Sequence, residues 1–145
     1  MPQARSKVKF FFLNSNPSLK DRNRLKKFII SIFNKENRGL ETINYVLTDD
    51  KNLLAINKKY LNHNFLTDII TFELSNKDLP ITAEVYISAE RVKENAGIHK
   101  TTFQKELHRV IFHGALHLCG YNDKTSRQVN QIRKREDYYL AKYFG

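Results

Sequence analysis

The residues best suited to chemistry are concentrated in one short stretch, HGALHLCGYND. His113, His117 and Asp123 all belong to residue types that bind divalent metal ions, and two glycines stand among them. The whole chain has five histidines and five glycines, so this stretch holds two of each. Such a concentration indicates a chemical role for the segment.

The spacing of these side chains suits one shared ion. On a helix, residues four apart lie one turn apart on the same face, so His113 and His117 can point at the same metal. Gly120 stands where a left-handed residue would end the helix and turn the chain back. Asp123 then arrives three residues later as a third ligand. The pattern predicts a metal site at the C-terminal end of a helix.

Two imidazoles and one carboxylate leave the fourth position of a tetrahedral ion open, as in a catalytic zinc site. A structural zinc site is closed, normally by cysteines, and this chain has only Cys119. An ion in an open site drives water toward hydroxide near neutral pH and polarises the substrate. We therefore expect one divalent ion, with Zn²⁺ as the favoured metal, and no other small-molecule cofactor.

Two other interpretations of this segment stay open. A histidine pair at this spacing is often a surface or packing feature, and Gly120 and Asp123 are what raise it above that. The spacing also fits a metallopeptidase. Peptidases of that kind place a glutamate, their general base, directly after the first histidine, and Gly114 stands there instead. The absence of this glutamate argues against proteolysis.

Composition indicates a nucleic-acid partner and argues against a membrane protein. The net charge is +10, divided as +8 in residues 1–38, −2 in residues 39–123 and +4 in residues 124–145. Basic surfaces attract nucleic acid through counterion release, although basic terminal helices can also serve solubility alone. The longest N-terminal apolar run, FFFL, is too short for a signal peptide or a membrane span. We expect a single cytoplasmic domain over residues 1–145.

Hydrophobic periodicity predicts a small sheet covered by helices, in the order βαβαββααα, which indicates an α+β fold of about four strands. Ser18 is the expected N-cap of the first helix and Gly39 its stop, and the first strand is expected to be buried. The predicted strands are 8–13, 43–48, 68–74 and 83–88. The predicted helices are 18–39, 49–61, 88–98, 101–118 and 126–143.

The chain resembles the YbeY family, metal-dependent endoribonucleases of bacterial rRNA maturation. HGALHLCGYND resembles the family signature HGxLHLxGYDH. Residues 56–74, INKKYLNHNFLTDIITFEL, resemble its N-x-x-Y…T-D-V-L-S-F block. AEVYIS at 83–88 resembles its G-D-I-x-I-S strand, and REDYYL at 135–140 its E-x-x-x-L helix. These matches span most of residues 45–140.

The resemblance implies a mixed sheet with helices packed against it and the metal site at the end of a central helix. It implies a hydrolase specific for single-stranded RNA, acting on rRNA precursors and the ribosome in small-subunit rRNA processing and ribosome quality control. A metallopeptidase is one alternative. The other is a non-catalytic RNA- or ribosome-binding factor with a structural metal.

The chain departs from the family pattern at two places that bear on function. Asp123 stands where the family usually has a third histidine, and a carboxylate is an acceptable zinc ligand. Leu61 stands where the family commonly has an arginine thought to handle RNA, so His63 or the basic termini must take over that role. Arg109, one turn before His113, is a further candidate for contacting a phosphate.

Overall fold

The computed structural model describes residues 6–145, and its elements follow the predicted order. The strands are β1 (Val8–Phe12), β2 (Leu40–Thr48), β3 (Ile69–Glu73) and β4 (Ile81–Ser88). The helices are α1 (Arg22–Lys35), α2 (Asp50–Leu61), α3 (Ala89–Ile98), α4 (Phe103–Leu118) and α5 (Ser126–Phe144).

The four strands form one mixed sheet in the order β1-β2-β4-β3. β1, β2 and β4 run parallel, and β3 lies antiparallel to β4 at the opposite edge from β1. Parallel neighbours require crossover connections, which α1 supplies between β1 and β2, and α2 with β3 between β2 and β4. The predicted α+β fold with a four-stranded mixed sheet is confirmed.

Helix α4 lies across the sheet and its buried face builds the centre of the core. A Cβ added at Gly114 would lie 3.0 Å from Cδ1 of Ile69 and 3.2 Å from Cγ1 of Val85. The glycine therefore allows α4 to approach β3 and β4 closely. α3 and α5 also pack on α4, and ten of its sixteen residues are buried. The two histidines of the motif project from this firmly held helix.

Two predictions about the ends of α1 are wrong. Ser18 does not cap α1, because the helix begins after Asp21, which has a left-handed backbone. Gly39 does not end it either. Asn37, with a φ of 59°, turns the chain after Lys35, and Gly39 continues directly into β2. Asparagine tolerates the left-handed region better than most residues, so the stop came earlier than the glycine suggested.

The first strand is also less buried than predicted. Val8 is fully buried, but Phe11 is 48% exposed. β1 is an edge strand, and successive side chains of a strand point to opposite faces of the sheet. One of the two faces is left partly open to solvent. Within residues 6–145, no helix combines the length and hydropathy needed to cross a bilayer.

Candidate metal centre

The two histidines lie in the last turns of α4, as the spacing predicted for a helix. Their ring centroids are 4.6 Å apart and the rings are nearly perpendicular. The His113 side chain is 21% exposed and that of His117 is 27% exposed. Both are therefore held by the core on one side and open to solvent on the other.

The turn after α4 returns the chain toward the histidines. Gly120 has a φ of 108°, which a residue with a side chain rarely adopts. Its N–H donates to the carbonyl of His117, and the N–H of Tyr121 donates to the carbonyl of Leu116, both at 3.0 Å. These bonds form a Schellman motif, in which carbonyls left without a partner at the end of the helix each accept a hydrogen bond.

The next helix fixes the far end of this turn. Thr125 caps α5 with its side chain, and Gln128 reaches back to the backbone of Thr125 in a capping box. Asp123 therefore stands in a short connection whose two ends are both hydrogen-bonded.

The three predicted metal ligands come together in space. Oδ2 of Asp123 lies 3.2 Å from Nε2 of His117 and 3.5 Å from Nε2 of His113. One ligand atom from each of the three residues lies within 4.8 Å of the others. These nitrogen and carboxylate donors match the set that zinc prefers in open, catalytic sites, so the residues fit a divalent ion.

A fourth residue, Glu136 on α5, orients His113. Its Oε2 accepts a hydrogen bond of 2.6 Å from Nδ1 of His113, and the carboxylate is almost fully buried. With the proton on Nδ1, the lone pair of Nε2 faces Asp123 and His117. Histidines that bind metals commonly donate their other ring N–H to a carboxylate in this manner.

Arg109 acts on the opposite side of that carboxylate. Its guanidinium donates to Oε1 of Glu136 at 3.0 Å and to Oδ1 of Asp137 at 2.6 Å. The structure thus directs Arg109 toward α5, where it neutralises the buried charge beside His113. Its contacts are those of a positioning residue.

Two pKa values at the site are displaced. Burial alone would lower the pKa of His113, but the hydrogen bond and charge of Glu136, with the charge of Asp123, raise it above its usual value. Burial raises the pKa of Asp68, which stands at the start of β3, against the opposing charge of His113.

The three-residue cluster lies between two clefts. The larger, of about 600 Å³, is lined by His117 and by the segment that precedes β3, including His63. The smaller, of about 260 Å³, is lined by side chains of α4 and α5, including Arg133. Asp68, His113 and Asp123 line both clefts.

Two residues of this region, Glu136 and Arg38, were not predicted as site residues from the sequence. Glu136 stands on the apolar stripe of α5, four residues after Ile132 and three before Tyr139, and an acid on such a stripe is a signal of burial with a partner. Arg38, just before β2, is the one Lys or Arg among the described residues that line the larger cleft. No spacing in the sequence links it to the motif.

Known proteins resemble this chain over most of its length. The family model for Endoribonuclease YbeY matches residues 13–144. The chain belongs to the YbeY family. The YbeY endoribonuclease of Cytophaga hutchinsonii is 38% identical over 91% of this chain and 92% of its own length. That of Flavobacterium psychrophilum is 46% identical over 78% of this chain and 80% of its own.

A solved structure has a similar fold. The solution structure of TM1509 from Thermotoga maritima superposes with a TM-score of 0.61 and 24% identity. The match covers 94% of this chain and 89% of that one. At this level of identity, the comparison concerns the fold alone.

Proposed function

We propose that this protein is a metal-dependent endoribonuclease that hydrolyses single-stranded RNA during rRNA maturation. The observation that carries the proposal is the convergence of His113, His117 and Asp123 beside an open cleft. Their exposure, between 21% and 43%, leaves room for a substrate at the cluster. A structural metal would be closed off by its ligands.

For this reaction, His113, His117 and Asp123 would hold one divalent ion, with Zn²⁺ favoured by the donor set. The ion would supply an activated water and a Lewis acid for the phosphate. Glu136 holds the Nδ1 proton of His113, which keeps Nε2 aimed at the cluster. Arg109 in turn holds Glu136.

Arg38 provides the contact to the substrate phosphate. Its guanidinium lines the larger cleft and lies 3.8 Å from Glu73, with both side chains more than 40% exposed. An ion pair that is long and exposed is weak, so it gives way readily to a phosphate, which guanidinium binds strongly. This contact compensates for Leu61, which offers no charge.

The substrate class follows from the family and the charge distribution. The relatives are named endoribonucleases, and the excess of basic residues lies toward the two ends of this chain. Arg133 brings one of those charges into the smaller cleft beside His113. We assign the protein to small-subunit rRNA processing and ribosome quality control in the cytoplasm, with residues 1–145 acting as one YbeY-like metallohydrolase domain.

Gly114 argues against the peptidase alternative. A side chain at this position would meet Ile69 and Val85 of the sheet, and the glycine itself offers no general base. The residue after the first histidine therefore serves packing. The other alternative, a non-catalytic RNA-binding factor, would bind RNA without cleaving it, and an experiment can test that difference.

The experiment compares cleavage of single-stranded rRNA fragments and of a peptide substrate by the purified protein. We expect cleavage of RNA only, loss of cleavage with a chelator, and recovery when zinc is restored. Cleavage that persists after complete metal removal would contradict the proposal. RNA binding without cleavage under any divalent ion would favour the binding factor instead.

A further inference from the structure

The end of α2 and the segment that joins it to β3 expose an unusual amount of apolar surface. Tyr60 is 62% exposed, Leu61 40%, Phe65 57% and Leu66 48%. Four large apolar side chains thus face solvent within seven residues. Single exposed apolar residues are ordinary, whereas a contiguous group on a folded domain marks a binding surface.

This segment is held in place by a buried amide. Asn57, which is 1% exposed, donates from Nδ2 to the carbonyl of Phe65 at 3.0 Å. Its own carbonyl accepts from the N–H of His63 at 3.1 Å. One asparagine therefore fixes both His63 and Phe65. Their rings stack with centroids 5.0 Å apart and 23° between the planes.

The stacked pair forms a rim of the cleft that the three-residue cluster lines. Leu61, His63 and Phe65 line the larger cleft together with His113, His117 and Asp123. The charged side chains that line this cleft do not indicate that the rim binds phosphate. The described residues that line the cleft include three carboxylates, those of Asp68, Glu73 and Asp123, and a single cation, Arg38. The rim itself offers flat, apolar and aromatic surface.

We propose that Leu61, His63 and Phe65 form a subsite for one unpaired nucleobase of the RNA whose phosphate lies at the cluster. The inference rests on the proposed function and adds to it the means by which the site selects single strands. Every base has a π-face that stacks on aromatic side chains without regard to sequence. In a duplex that face is covered by its neighbours, so only an unpaired base can occupy the rim.

The experiment measures stacking directly and needs no turnover. The full-length protein is mixed with a short 2′-O-methyl phosphorothioate oligonucleotide, which resists hydrolysis and carries one 2-aminopurine. We expect the wild-type protein to quench the fluorescence of that base. Phe65→Ala should lose most of the quenching and bind the single strand about tenfold more weakly. Phe65→Trp should retain both.

Two controls separate stacking from general effects. Ile98→Ala removes an apolar side chain that is 66% exposed at the end of α3, outside both clefts lined by the cluster, and should change nothing. The slope of log affinity against log salt should be the same for Phe65→Ala and the wild type, since no charge is altered. The same oligonucleotide as a duplex should show no dependence on Phe65.

Three results would overturn the subsite. They are equal quenching by Phe65→Ala and the wild type, no quenching by the wild type, and loss of duplex binding to the same degree as single-strand binding. The first two would be expected if the rim docks a protein instead, and the third would show that Phe65 supports RNA binding without selecting single strands. RNA cleavage is scored separately. Quenching that depends on Phe65 in a protein that never cleaves RNA would retain the subsite and reject the endoribonuclease function.

Discussion

Nδ1 of His113 lies 2.6 Å from Oε2 of Glu136, and the other oxygen of the same carboxylate lies 3.0 Å from Arg109. A chain of three residues, with the buried Glu136 at its centre, thus connects α4 to α5 directly behind the cluster. The carboxylate fixes the tautomer and orientation of the histidine, and the arginine compensates the buried charge.

Replacing Glu136 should therefore weaken metal binding. Glu136→Gln keeps the size of the side chain but removes its charge, and we expect zinc affinity to fall about 10- to 100-fold. Isothermal titration calorimetry with zinc measures this. Asp137→Asn is the matched control, because Asp137 also contacts Arg109 but does not touch His113. Equal zinc affinity in Glu136→Gln and the control would remove Glu136 from the site.

Asp123 is where this chain departs from the family signature, and its substitutions test the three-ligand site. Asp123→Ala leaves two histidines, so zinc affinity and RNA cleavage should both fall sharply. Asp123→His restores the usual family donor. It should bind zinc more tightly and retain more activity than Asp123→Ala. Asn122→Ala, a change at the adjacent exposed residue, is the control. Zinc binding by Asp123→Ala as tight as that of the wild type would make Asp123 a turn residue only.

Gly114 and Gly97 form a matched pair for testing how α4 packs. Ala is about 1 kcal/mol more favourable than Gly inside a helix, and a Cβ at Gly97 meets nothing within 4 Å. Gly97→Ala should therefore stabilise the protein slightly. A Cβ at Gly114 would meet the stiff side chain of Val85 at 3.2 Å, and crowding of a packed core costs about 1–3 kcal/mol.

We thus expect Gly114→Ala to lower the free energy of unfolding, by about 1 kcal/mol after its gain in helix propensity. Urea denaturation of both variants measures the difference. If Gly114→Ala proved as stabilising as Gly97→Ala, the close approach of α4 to β4 would be wrong.

Local patterns were sufficient to predict the order of the elements and the proximity of the three proposed ligands. His113, His117 and Asp123 lie within one helix and the turn that follows, so spacing alone brings them together. Ser88, predicted as a possible N-cap, does cap α3 through its side chain. Residues that act through neighbours in the chain are within reach of such reasoning.

Long-range contacts could not be predicted from local sequence patterns. Glu136 is 23 positions from His113, and only the packing of α5 on α4 brings them together. The first helix shows a different limit. Both Asn37 and Gly39 can end a helix, and the choice depended on a hydrogen bond from the N–H of Arg38 to the carbonyl of Phe33.

Glu36, at the end of α1, should make stability depend on pH. Burial raises its pKa, but hydrogen bonds from Tyr139, Arg135 and Tyr121 outweigh burial and hold the pKa below the usual glutamate range. A depressed pKa means that the unfolded chain takes up the proton first. The stabilisation is thus complete above the ordinary glutamate pKa and is lost as pH falls through the lowered one.

Glu36→Gln should lower the free energy of unfolding by about 1–3 kcal/mol near neutral pH. The difference from the wild type should shrink as the solution becomes acidic. Denaturation at a series of pH values measures it, with Glu41→Gln as a control at an exposed glutamate on β2. A difference that did not vary with pH would show that the charge of Glu36 does not contribute.

The most direct test of a catalytic metal at this site is the His117→Ala variant, assayed for RNA binding and for cleavage in the same zinc-containing buffer. His117 is a ligand in this account and lies beside the cleft, so its loss should abolish turnover. The basic surfaces and the apolar rim are untouched, and affinity for single-stranded RNA should stay close to that of the wild type. Undiminished cleavage by His117→Ala, in protein verified as folded, would contradict a catalytic metal at this site.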